Sequence, residues 1–122
     1  MKIAERTEAT ESTVTIVLDW NDEEHSGSAS GPADETHRPR LIGEATLRAV
    51  EAVTDGALDL DLAAIATTPL GELRVAMAQI GLKATGEMFV GTAMVADTDQ
   101  ETATVKAVLD ALNRRITTLL AS

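Results

Sequence analysis

The chain has 122 residues, a hydrophobic fraction of 44% and a formal net charge of −10 from 20 acidic and 10 basic residues. That length fits one domain with a single core, and the acidic balance argues against nucleic acid and anionic membrane surfaces as partners. The absence of cysteine removes disulfides, thiolate metal sites and cysteine nucleophiles together.

With Trp20 and Phe89 as its aromatic residues, the core falls to Ala, Val, Leu, Ile and Met, side chains suited to helix-on-sheet packing. No apolar run approaches the roughly 20 residues of a membrane-spanning helix. The opening Met1-Lys-Ile-Ala-Glu-Arg-Thr-Glu8 has no apolar signal core, so a cytoplasmic location is expected.

Residues 1–11 are polar and aperiodic and read as a flexible arm before a single domain over 12–122. From Thr13 the chain alternates, with Val14, Ile16, Leu18 and Trp20 on one face of a half-buried strand. Asn21-Asp22-Glu23 supplies a turn, and Glu24 to Ala29 returns as a short polar strand. Residues 26–38, rich in Gly, Pro, Ser and acids, read as a mobile loop.

Pro39 suits the first turn of a helix carrying Leu41, Ile42, Ala45, Ala49, Val50 and Val53, with Gly56 as its stop. Leu60 to Thr67 reads as a third strand and Pro69-Leu-Gly71 as a turn. Glu72 to Leu82 and Met88 to Ala96 follow as strands apolar on both faces. Thr98-x-x-Glu101 matches a capping box, with Asp97 and Asp99 favourable at the helix N-terminus. Val105, Val108, Leu109, Leu112, Ile116 and Leu119 form the buried stripe of a second helix, and Arg114 and Arg115 suit its C-terminal end. The predicted fold is α+β and two-layered: an antiparallel sheet of about five strands with two helices on one face, in the order ββαβββα. Its two halves echo each other, each a hairpin followed by a helix.

Candidate chemistry is thin. Asp22-Glu-Glu-His25 and Asp34-Glu-Thr-His37 hold metal-compatible side chains, making His25 and His37 the weak metal candidates, but their spacing matches no zinc pattern and solvated turns explain them better. Asp97 to Glu101 lacks the glycine and distal glutamate of a calcium loop. No serine sits in a Gly-x-Ser-x-Gly elbow, Asp59 and Asp61 read as a solvent face, and Gly27 to Gly31 lacks the Lys-Ser/Thr ending of a phosphate loop. No catalytic residue and no cofactor is assigned. Gly91-Thr92-Ala93 is either a site of close helix packing, the preferred reading, or backbone left bare for a ligand or partner chain.

The pieces Val14 to Trp20, Glu23 to His25, Ser30-Gly-Pro32, Ala45 to Val53, Gly91-Thr-Ala93 and Ala111-Leu-Asn-Arg114 come in the order seen in another family. Over residues 13–120 the chain resembles the C-terminal regulatory domain of isopropylmalate and citramalate synthases. It departs in an enlarged loop at Ala33 to Arg38, in Asn21-Asp22 at the usual Asn/Asp-Gly turn, and in lacking the catalytic barrel with its His-x-His metal ligands. The resemblance implies a stand-alone regulatory domain that dimerises through its sheet and holds an amino acid or small acid in loops matching Gly31-Pro32 and Gly91-Thr92-Ala93.

The expected role is therefore a non-catalytic regulatory or small-molecule-binding homodimer. A protein-interaction adaptor without a small ligand is the alternative, and a metal-dependent enzyme using the acidic-histidine loops a weaker one. Independently of family, strands apolar on both faces need a covering partner on the side away from the helices.

Overall fold

The computed structural model describes residues 2–95 and 99–121, with side chains of the second stretch as far as Asn113. The elements are β1 (Lys2–Glu8), β2 (Glu11–Trp20), β3 (Glu23–Pro32), α1 (Arg38–Val53), β4 (Leu60–Leu70), β5 (Leu73–Leu82), β6 (Glu87–Val95) and α2 (Gln100–Ala121). The class is α+β as expected, but the described strands form two three-stranded antiparallel meanders, β1-β2-β3 and β4-β5-β6, rather than one five-stranded sheet. Each meander is followed by a helix packed on it, so the echo between the halves is a repeated βββα unit. Both helices and both sheets contribute to one apolar cluster.

Two corrections concern the polar strands. Residues 2–8, read as a flexible arm, pair along their length with β2 as strand β1. They were illegible because an edge strand with charged residues on both faces carries no apolar alternation, and of its residues only Ile3 packs on the core. The segment read as a loop over residues 26–38 is strand as far as Pro32, in register with Glu11 to Val17. Its cross-strand hydroxyl pairs, Thr13 with Ser30 at 2.8 Å and Thr15 with Ser28 at 2.9 Å, replace the apolar pairs on which a strand is usually recognised.

β2 follows its alternation: Val14, Ile16 and Leu18 are buried, while Trp20, expected on the same buried face, is 39% exposed beside the turn. Asn21 and Asp22 both take positive φ, 50° and 63°, the geometry of a type I′ hairpin that Asn and Asp tolerate without glycine. α1 carries its proline in the first turn and stops at Gly56, whose N–H reaches the Glu51 carbonyl at 3.0 Å with φ at 79°. Pro69, read as part of a turn, lies within β4, an outer strand of its sheet where a missing donor is tolerated.

α1 also ties the two halves together. Glu51 accepts the Leu60 N–H at 2.8 Å, Arg48 donates to the Leu60 carbonyl at 3.0 Å and Arg40 donates to the Leu62 carbonyl at 3.0 Å. The first residues of the outer edge of β4 are thus held by side chains of the preceding helix, which blunts that end of the edge. At the start of α2 the described cap is Asp99, which accepts the Thr102 N–H at 2.7 Å. The cap read onto Thr98, with Asp97 beside it, lies outside the described residues, as do the side chains of Arg114, Arg115, Ile116 and Leu119. Val105, Val108 and Leu112 are buried as the stripe predicts.

No helix among the described residues is long and apolar enough to cross a membrane.

Candidate functional site

The helices lie on the third strand of each meander at unusually short range. A β-carbon at Gly27 in β3 would stand 2.1 Å from the Ala49 nitrogen and 2.5 Å from the Ala45 carbonyl oxygen. One at Gly91 in β6 would stand 2.1 Å from the Ala107 carbonyl oxygen and 2.2 Å from the Ala111 nitrogen. Gly27 pairs with Ile16 and Gly91 with Ala78, the same place in each meander. Gly91 and Ala93 therefore face α2, and the packing reading of this strand holds for them. Thr92 points the other way, and its N–H donates to Asp110 of α2 at 3.0 Å.

The residues matched to ligand loops do not converge. Gly31 packs on Leu41 of α1 and Pro32 ends β3 in the first sheet, whereas Gly91, Thr92 and Ala93 lie in the second sheet with α2 over Gly91. His25 and His37 are also apart: seven strand residues separate His25 from the end of β3, on the order of 20 Å of extended chain, and His37 lies beyond it. His25 has Glu23 at 3.8 Å, and the His37 ring bonds Asp34 at 2.8 Å, which holds the Asp34 carboxyl below its usual range. Among the described residues no three metal-ligating side chains gather. Asp59 is met by Lys83 at 3.6 Å, an ordinary surface pair.

Pro32 does border a polar hollow of about 200 Å³ with Glu5, Ser12, Arg38 and Leu41. Arg38 bonds Glu5 at 2.7 Å and also Glu101 of α2, while its buried Nε has no partner among the described residues. A second hollow of about 350 Å³ continues from Arg38 to Gln100 and Thr104. The arrangement repeats: Arg38 at the start of α1 meets Glu5 of β1, and Gln100 at the start of α2 meets Thr67 of β4 at 3.2 Å. The helix N-termini thus sit side by side, joined through Arg38.

The outer faces of the two sheets differ sharply. In β5, Ala76, Ala78, Ile80 and Leu82 are buried, so Leu73, Val75, Met77 and Gln79 point away from the core. Their neighbours in the ladder are Ala64, Ala66, Thr68 and Leu70 on β4 and Val90, Thr92 and Met94 on β6. Among the described residues this face carries no charged side chain until Asp61 at its end beside Gly81. Val90 is 63% exposed, Met94 57% and Leu70 67%. The equivalent face of the first sheet presents Thr13, Thr15, Ser28 and Ser30 instead, with Lys2 and Arg6 beside them.

At about 3.3 Å per residue and about 4.8 Å between strands, seven residues on three strands give a face on the order of 330 Å² in projection. That is the size of the largest apolar patch on many monomers, a patch that is often functional. Sequence reasoning found its strands through their two-sided apolar pattern. It missed the Arg38 hollow, which is assembled from residues far apart in the chain.

No protein-family model matches the chain, and no curated protein matches it. The likeness to synthase regulatory domains rests on the short sequence pieces quoted above.

Proposed function

We propose that this chain is a non-catalytic module that works as a homodimer, docking the outer face of its second sheet on that of another copy. The observation that carries this reading is the uncharged face formed by β4, β5 and β6 on a chain whose net charge is −10. Two such acidic chains repel over most of their surface, and this face lets them meet without opposing like charges. The contact area suits a weak, reversible dimer: two faces give about 700 Å² before their rims, below the roughly 1,200 Å² at which stable interfaces begin. Association should therefore be modest and concentration-dependent. Sedimentation equilibrium across a dilution series tests it, with a mass falling from dimer to monomer expected and a constant monomer mass contradicting it. A constant monomer mass would favour the adaptor role, with a different protein covering the same face.

Regulation by a small ligand is a second reading, supported by the hollow beside Pro32 and by the unpartnered Arg38 Nε next to it. An amino acid or small acid is the class the family likeness suggests. Thermal shift against such compounds tests it: binding at a hundred times the dissociation constant adds about 2.7 kcal/mol of stability. Failure of every compound to shift the transition would remove this reading and leave the docking role standing.

A further inference from the structure

We infer that the two copies meet around a twofold axis running along β5, so that β4 of each protomer lies over β6 of its partner. This rests on the docking proposal above and specifies its geometry.

The first observation is the uneven relief of the face. At three matched levels β4 offers the small side chains Ala64, Ala66 and Thr68 where β6 carries Val90, Thr92 and Met94, while the large Leu70 of β4 stands one level further out beside Leu73. With their strands kept near alignment, two face-to-face sheets admit two twofold arrangements. An axis across the strands sets β4 on β4 and β6 on β6, stacking large on large and leaving small opposite small. An axis along β5 sets Thr68 opposite Met94 and Ala64 opposite Val90, and the ridge of each copy enters the trough of the other. Sheet-on-sheet interfaces gain their energy from such interdigitation, and voids between small residues forfeit it.

The second observation is Gln79. It lies towards the Asp61 end of the face, between Ala64 and Val90, and its side-chain amide has no hydrogen bond within the described residues. Buried against an apolar surface, that amide would lose its hydrogen bonds to water without replacement. On an axis along β5 it faces its own copy, and a carboxamide, holding both donor and acceptor, is self-complementary. Met77 and Val75 likewise meet their own copies along the axis.

Short bis-maleimide crosslinking of single-cysteine variants tests the geometry cleanly, because the chain has no cysteine of its own. Facing sheets stand about 10 Å apart, too far for a direct disulfide but within reach of such a reagent. Leu73→Cys, at the accessible end of β5, is expected to crosslink to its own copy. Met94→Cys alone should not, whereas a mixture of Met94→Cys and Thr68→Cys should give the mixed dimer. A protein that sediments as a dimer yet joins Met94→Cys to Val90→Cys, and not to Thr68→Cys, would overturn the axis while leaving the docking role intact. A protein monomeric at every concentration would overturn both. Circular dichroism of each variant confirms that a negative result comes from a folded chain.

Discussion

Gly91 lies directly beneath Ala111, so close that a β-carbon on the glycine would come within 2.2 Å of the alanine amide nitrogen. Gly27 and Ala49 repeat the relationship in the first half, at 2.1 Å. In each case the obstacle is helix backbone, which cannot rotate aside as a side-chain tip can. Gly91→Ala and Gly27→Ala should each cost about 3 kcal/mol or more, the upper end of overpacking, because a whole helix must lift from its sheet. Urea denaturation checks this; a loss below about 1 kcal/mol would show that the helices ride higher than the structure places them.

The clasp of α1 on β4 makes a second prediction. Glu51→Ala leaves the Leu60 N–H without its acceptor and Arg48 without its 2.7 Å partner, for an expected loss of about 2 kcal/mol. Glu51→Gln retains a carbonyl oxygen for the Leu60 N–H and should recover a good part of that loss. Equal losses in the two variants, measured by the same denaturation, would show that the hydrogen bond contributes little.

Acid sensitivity should include the α2 cap. Hydrogen bonds, first from the Thr102 backbone N–H, hold the Asp99 carboxyl below its usual range in the folded chain. Stability from this group is therefore fully present above the ordinary carboxylate pKa and is lost as pH falls through the lowered folded value. Asp99→Ala should lower the melting temperature at neutral pH. Asp99→Asn, which caps without titrating, should keep most of it and flatten the acid limb of the pH profile. Parallel acid limbs in wild type and Asp99→Asn would contradict this.

Much of this structure was legible where apolar spacing carried the signal. Val14, Ile16 and Leu18 announced β2, Pro39 and Gly56 bracketed α1, and Val105, Val108 and Leu112 marked the buried side of α2. The strands that escaped notice were those in which contact with a helix or with water replaced bulky side chains. β3 meets α1 through Gly27, where no side chain fits, and turns Ser28 and Ser30 outward. β1 has nearly all its side chains exposed. Splitting of the sheet was illegible for a different reason: nothing local in Thr54 to Asp59 tells whether β4 will pair with an earlier strand or be clasped by Arg40, Arg48 and Glu51. The two-sided apolar pattern of β5 and β6 did mark the apolar outer face, whereas the Arg38 hollow depends on Glu5 and Glu101, which only the folded chain brings together.

The most direct test of the docking role is the mass of the wild-type chain beside that of Val90→Glu. Val90 is 63% exposed on the outer face, so a glutamate there should leave the fold and melting behaviour of the protomer nearly unchanged. Light scattering at the concentrated end of the dilution series should give the wild type twice its 12.8 kDa chain mass. The variant, with two carboxylates placed in the interface, should give the chain mass alone. A wild type that is monomeric at that concentration, or a folded Val90→Glu that keeps the doubled mass, would contradict the assignment of this face.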